Sequence, residues 1–167
     1  AAGIPWNGVN PRTLAQMVPG RTLLGLLELP ANGFARSAVS AWLSAAPVLH
    51  REHGQTVPAH RWDAIARSAG IVRGRDEWAT RLDRHVGQLR RELAGLEESD
   101  DPADWRRPRL ERDIEETDSL RAFMDELFHL LDRDAGGDWA SYSTWAQQLL
   151  ERYLGTEASL AARLPED

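Results

Sequence analysis

The stretch RDEWATRLDRHVGQLRRELAGLE, residues 75–97, sets apolar side chains at Trp78, Leu82, Val86, Leu89, Leu93 and Leu96. Steps of three and four put all six on one face of an α-helix. Asp76 and Glu77 fall in its first turn, where carboxylates favour the helix dipole. A second stretch, PRLERDIEETDSLRAFMDELFHLLDR (108–133), repeats the spacing at Leu110, Ile114, Thr117, Leu120, Met124, Leu127 and Leu131. At 1.5 Å per residue these are rods roughly 35–39 Å long. Ser99 to Asp104 between them is short and polar. The pair is therefore predicted to form an antiparallel helical hairpin over 75–133.

Outward from the hairpin the pattern stays helical, and no segment shows period-two alternation between hairpin turns. Pro19 opens a helix carrying Leu23, Leu24, Leu26, Leu27 and Leu29, apolar on most sides and so expected to be buried. Pro30 and Asn32-Gly33 stop it. A helix over Ala35–Ala46 turns Val39, Trp42 and Leu43 inward, and Pro47 ends it. Residues 50–57 read as a polar loop. Pro58 opens a short helix with Trp62, Ile65 and Ala66, closed by Gly70. After Gly136-Gly137, Ser141 or Ser143 is expected to cap a helix with Trp145, Leu149, Leu150, Tyr153 and Leu154 as its stripe. Gly155 breaks that helix, and a last one spans Glu157–Leu164. The fold class is all-α, about seven helices in one domain over 1–167.

The 167 residues carry 26 acids against 20 basic side chains, and every one of the 20 is arginine. Complete absence of lysine fits the codon usage of a GC-rich genome. It also excludes a G-x-x-x-x-G-K-[ST] phosphate loop and a nuclease site that needs a lysine. Absence of cysteine excludes a disulfide framework, a zinc ribbon and a thiol nucleophile. No apolar run approaches the ~18–20 residues of a membrane span. No basic-then-apolar leader pattern opens the chain, so a cytoplasmic location is expected. The opening Ala1-Ala2-Gly3, without an initiator Met, is what a piece of a longer protein would show.

The net charge of −6 is local. Residues 97–118 hold ten acids and four arginines, whereas 60–91 hold eight arginines and four acids. Arg81, Arg84, Arg90 and Arg91 are expected to pair with the acidic second rod, each exposed pair contributing ~0.2–1 kcal/mol. Arg73 and Arg75 flank Gly74 at a helix N-terminus, where backbone N–H groups attract anions. With Arg67 they are the candidate nucleic-acid contacts. Trp105, beside Arg106 and Arg107 near the hairpin tip, is the tryptophan of the seven most expected to be exposed, and the three are candidate partner contacts. The remaining chemistry reads as structural. His50, His53 and His60 match no zinc spacing, because Gly54 and Pro58 break the region. Glu126 and His129 have the Glu-x-x-His spacing of a carboxylate metal bundle but no second copy. None of the serines sits in a G-x-S-x-G elbow. No catalytic or metal site is expected within the chain.

Several segments carry a resemblance. They are Gly3-Ile4-Pro5-Trp6, Leu14, the run Gly20-Arg21-Thr22-Leu23-Leu24-Gly25-Leu26-Leu27-Glu28-Leu29, then Phe34-Ala35-Arg36-Ser37-Ala38-Val39, and Leu43 to Ala46-Pro47. Together they resemble a segment of superfamily 1 (UvrD/Rep-like) helicases, closest to the B-type chain of the ATP-dependent helicase/nucleases. That type often ends in a PD-(D/E)XK nuclease domain. Trp62, Ala69-Gly70-Ile71-Val72, Trp78 and Arg81-Leu82 fit it too. The resemblance implies a helical subdomain inserted in the second motor domain, acting in DNA repair or recombination. Its partners would be DNA and the other domains or subunits. ATP and Mg would be bound only elsewhere in the parent, and no catalytic residue falls here. The alternative is a stand-alone helical protein-interaction module with the acidic hairpin tip as its docking point.

Overall fold

A computed structural model describes residues 13–50, 54–98, 103–132 and 137–163. Through them run α1 (Val18–Glu28), α2 (Arg36–Ala45), α3 (Ala59–Ser68), α4 (Arg75–Glu98), α5 (Arg107–Leu131), α6 (Trp139–Leu154) and α7 (Glu157–Ala161). Short 3-10 turns, Leu14–Gln16 and Ala103–Arg106, lead into α1 and α5. The described residues hold no strand, and a lone antiparallel bridge pairs Leu49 with Thr56. The all-α class and the long hairpin follow the sequence pattern. Trp6, His53 and the stretch Ser99 to Pro102 lie outside the described residues.

The 24 residues of α4 and 25 of α5 pack antiparallel as the hairpin. Its two halves have different surroundings. Near the base, Trp78, Leu82 and Val86 of α4 and Thr117, Leu120, Phe123, Met124, Leu127 and Phe128 of α5 are all buried. Helices α1, α2, α3 and α6, with Leu29, Phe34, Val48, Val57 and Ile71 between helices, supply the rest of that core. Its centre is aromatic. Trp42 meets Tyr153 edge-on at 5.3 Å, and Phe123 lies 4.9 Å from Trp62 and 5.7 Å from Tyr153. Burying each such side chain is worth roughly 1.5–3 kcal/mol. Beyond Leu89 the seam continues as Leu93, Leu96, Leu110 and Ile114, and these are only half-buried. Two helices alone cannot enclose a seam that four or five can.

Polar ties fix the base. Trp42 Nε1 donates to the Thr22 carbonyl at 3.0 Å, and Trp78 Nε1 to the Phe34 carbonyl at 2.8 Å. Arg152 of α6 forks onto Glu126 of α5, with Nε donating to Oε1 at 2.8 Å. The Leu49 N–H donates to the Tyr153 carbonyl at 2.8 Å.

The structure corrects several expectations. Helix α1 is not covered all round: Leu26 and Leu29 are buried, but Leu24 is 48% and Leu27 40% exposed. Leucine content alone does not say how many faces find a neighbour. Helix α6 starts at Trp139, two residues before Ser141. Its cap is Asp138, whose side chain accepts from the Ser141 N–H at 2.9 Å. Of the stretch 50–57 read as a polar loop, His50 and Val57 are buried on either side of the Leu49–Thr56 bridge. The last helix ends at Ala161, within its predicted span. Trp145 is half-buried, whereas Trp42, Trp62 and Trp78 are core. Of the four arginines expected to reach the second rod, Arg90 does so among the described residues, 2.6 Å from Asp118. Arg81 instead pairs along its own helix with Glu77 at 3.1 Å. The acidic rod is met from elsewhere: Arg61 of α3 bridges Asp113 and Glu116.

Candidate anion-binding surface

At the base of the hairpin, the start of α2, the middle of α3 and the loop before α4 come together. Phe34 sets the corner. It has φ 51°, a left-handed conformation that costs a non-glycine residue on the order of 1–3 kcal/mol. Its buried ring holds the corner by meeting Phe128 edge-on at 4.8 Å. Two backbone bonds then clamp the facing loop: Arg36 N–H donates to Val72 O at 2.9 Å, and Gly74 N–H to Gly33 O at 2.8 Å. Gly74 needs its φ of 94°, a region open to glycine. This clamp sets Arg73 beside the first turn of α2.

Asp63 of α3 collects the neighbouring charges. Ser40 Oγ donates to its Oδ1 at 2.6 Å, the Arg36 guanidinium bonds the same oxygen, and Arg67 bonds Oδ2. The Ser40 hydrogen bond, followed by Arg67 and Arg36, holds this carboxyl below the usual carboxylate range against the opposing effect of burial. Arg36 and Arg67 thus share one acid. Arg73 is exposed, and its guanidinium forms no ion pair among the described residues. Two guanidiniums on one carboxylate leave one positive charge in excess at Asp63. Arg67 keeps 70% of its side chain in water.

The backbone amides expected to attract an anion here are already occupied. Glu77 Oε2 accepts from the N–H of Val72 at 2.9 Å and of Arg73 at 2.8 Å. These bonds, Arg73's first, hold the Glu77 carboxyl below its ordinary range. An incoming anion would therefore meet side chains and not a backbone nest. Arg75 is also partly engaged. Its guanidinium lies 5.1 Å over the Phe34 ring and 5.6 Å over Phe128, and 3.3 Å from Asp132. Of the three arginines singled out from sequence, Arg67 and Arg73 join one surface through Asp63 and Arg36, and Arg75 sits behind it as a packing residue. Sequence reasoning missed Arg36, Ser40 and Asp63. The Asp63–Arg67 spacing of four was legible on α3, but nothing in the sequence linked either residue to Arg36.

The far end of the hairpin offers a different surface. Trp105 is 73% exposed, but the expectation that it would be the most exposed of the tryptophans fails among the described ones: Trp139, in the first turn of α6, is 89% exposed. With Leu89, Leu96 and Leu110, Trp105 lines a groove of about 480 Å³, to which Arg106 and Arg109 also contribute. Arg107 is half-buried and lies outside the lining of that groove. The histidines stand apart. His50 is buried with Nε2 2.9 Å from Ser119 Oγ, while His60 and His129 are exposed. Glu126, the partner that spacing gave to His129, binds Arg152. Among the described residues no group of three or more His, Asp or Glu is placed to hold a metal, and no helix is long and apolar enough to cross a membrane. No family model, no curated protein and no solved structure matched the chain when it was compared with them.

Proposed function

We propose that the chain is a non-catalytic helical subdomain of a DNA helicase/nuclease acting in repair or recombination in the cytoplasm. It positions DNA and contacts other domains of the parent, which binds the ATP and Mg. One observation supports the DNA half above the rest: Arg36 and Arg67 share the single carboxylate of Asp63, and Arg73 stands exposed in the loop clamped to the start of α2. Guanidiniums in excess of their acids suit phosphate oxygens, which they bind in bidentate fashion. The contact half is supported by α1, where Leu24 and Leu27 are exposed one turn apart, near Leu14 at 77% and Met17 at 47%. Exposed apolar groups this close together mark docking surfaces.

The test is fluorescence anisotropy of a labelled duplex at low salt, with the double variant Arg67→Ala/Arg73→Ala. The expected result is weak, salt-sensitive binding. In the variant, the slope of log K against log salt falls by about one for each phosphate contact removed. Absence of binding by the native chain at low salt would remove the DNA half of the proposal.

The second reading, a protein-interaction module docking through the hairpin tip, draws on the Trp105 groove. Tryptophan and arginine around an apolar floor are the residues that dominate interface energetics. A partner complex unchanged by Trp105→Ala would dismiss it.

A further inference from the structure

We infer that the groove on the outer half of the hairpin takes an amphipathic helix of a partner protein, with its apolar face on the leucine floor and acidic residues on the flank that meets α5. This rests on the second reading, docking through the hairpin tip, and names the chemistry of the partner.

The body of the molecule stops at one edge of this groove. Asp113, which lines it, is bonded by the guanidinium of Arg61, in the first turn of α3. Toward the base, α3 packs on α5, with Trp62 4.9 Å from Phe123. The groove itself is lined by α4, α5 and the turn Ala103–Arg106 alone, and Leu96 and Leu110 stay half-buried. Leu89, Glu92 and Leu96 follow at steps of three and four along one stripe of α4. The groove therefore runs with the arm for about two helical turns, roughly 10 Å. Two packed helices leave a channel that a third fills at about 8–10 Å between axes. Apolar anchors three and four apart are what such a helix presents. A helix seated here would carry the layer of α3 on toward the tip.

The rim charges select the partner. Arg106 is exposed and forms no ion pair among the described residues. Arg109 keeps 78% of its side chain in water, with Asp113 3.8 Å away and already engaged by Arg61. On the α4 side, Glu92 is exposed and accepts from Gln88 Nε2 at 3.0 Å. Two available guanidiniums on the α5 side thus outnumber one carboxylate on the α4 side. The other described acids of this part of α5 stand elsewhere. Glu111 and Glu115 lie outside the lining, and Glu116 and Asp118 pair with Arg61 and Arg90. A phosphate strand has no apolar face to lay on the leucine floor, whereas a helix with glutamates or aspartates beside its apolar stripe satisfies floor and rim together.

Anisotropy of two fluorescein-labelled synthetic helices with the whole chain tests this, at about 0.15 M salt where the Debye length is ~8 Å. Both helices carry the same leucine stripe at steps of three and four. One has glutamates on its flanks and the other lysines. The expected result is roughly two- to thirtyfold tighter binding of the glutamate helix, although a chain of net −6 would by overall charge favour the lysines. Arg106→Ala/Arg109→Ala erases the preference, and Trp105→Ala weakens both helices by roughly tenfold or more. All three side chains are exposed, so the variants keep the fold, which circular dichroism verifies. Equal binding of the two helices, or preference for lysines, would overturn the acidic partner, while Trp105-dependent binding of both would leave the docking reading standing. Self-association of the chain in sedimentation, lost in Trp105→Ala, would overturn it in favour of a second copy. Failure of both helices to bind would overturn the inference and the docking reading together.

Discussion

The base of the hairpin and its far end share one sequence rule and have different stabilities. Both halves place apolar residues three and four apart. At the base, Leu82, Leu120 and Leu127 are sealed from water, because α1, α2, α3 and α6 stack around them. At the far end, Leu93, Leu96, Leu110 and Ile114 lie on the two-helix arm and stay half-buried. The comparison teaches that periodicity selects the helix and its inward face, while the number of neighbouring elements decides what that face contributes. A half-covered seam is also what leaves room for a groove beside Trp105.

The largest expected effect comes from the centre of the base. Phe123→Ala should cost about 3–5 kcal/mol, since the ring touches Trp42, Trp62 and Tyr153. Leu96→Ala, in the same hairpin but half-exposed, should cost less than half of that. Urea unfolding of both variants measures the difference, and similar midpoints would break the contrast between the halves. Next in size is the tie between α6 and α5. The side chains of Arg152 and Glu126 are 17% and 19% exposed, so the pair is shielded but not dry. Arg152→Met should cost roughly 1.5–3 kcal/mol, the range for hydrogen bonds to charged groups, because the Glu126 carboxylate is left with fewer donors. Calorimetry showing an unchanged Tm would mean that α6 is held by its apolar face alone.

The parts of the fold that were legible in the sequence are those set by local rules. The rods, their connection and the start of α4 follow from spacing, turn residues and Asp76-Glu77. The extra coverage of the base was not legible, because it depends on helices far apart in sequence arriving at one place. Helix α1 makes the point, since five leucines imply burial but only some of its faces find partners. The candidate surface divides the same way. Arg67 and Arg73 stand out from composition and position, whereas Arg36, 27 residues before Asp63, joins them only through the folded corner at Phe34. The expectation of free backbone amides at α4 failed for a local reason: Glu77 reaches back to cap them. A carboxylate three residues inside a helix start is a signal that could have been used.

A smaller effect should separate the arginine surface from the apolar core by its pH dependence. Asp63 is held below its unfolded value by Ser40, Arg67 and Arg36. A lowered carboxyl adds stability that is fully present above the unfolded pKa of about 3.9. That stability is lost as the pH falls through the lower, folded value. Asp63→Asn should therefore remove on the order of 1–2 kcal/mol at neutral pH. It should also flatten the decline of stability below about pH 4. Parallel acid-unfolding curves for the two proteins would mean that Asp63 does not organise the surface.

The smallest expected effect lies along the exposed side of the hairpin, where Arg90 pairs with Asp118 at 2.6 Å. The side chains there are 58% and 39% exposed. Water screens such a pair and both long side chains lose freedom in forming it, so Arg90→Ala should cost about 0.2–1 kcal/mol. Salt should reduce even that, because the Debye length falls to ~3 Å at 1 M. The apolar substitutions at the base should respond far less to salt in the same titration. If Arg90→Ala instead cost as much as Phe123→Ala, charge pairing and not coverage would hold the hairpin together. The division between its enclosed base and its two-helix arm would then have to be drawn on different grounds.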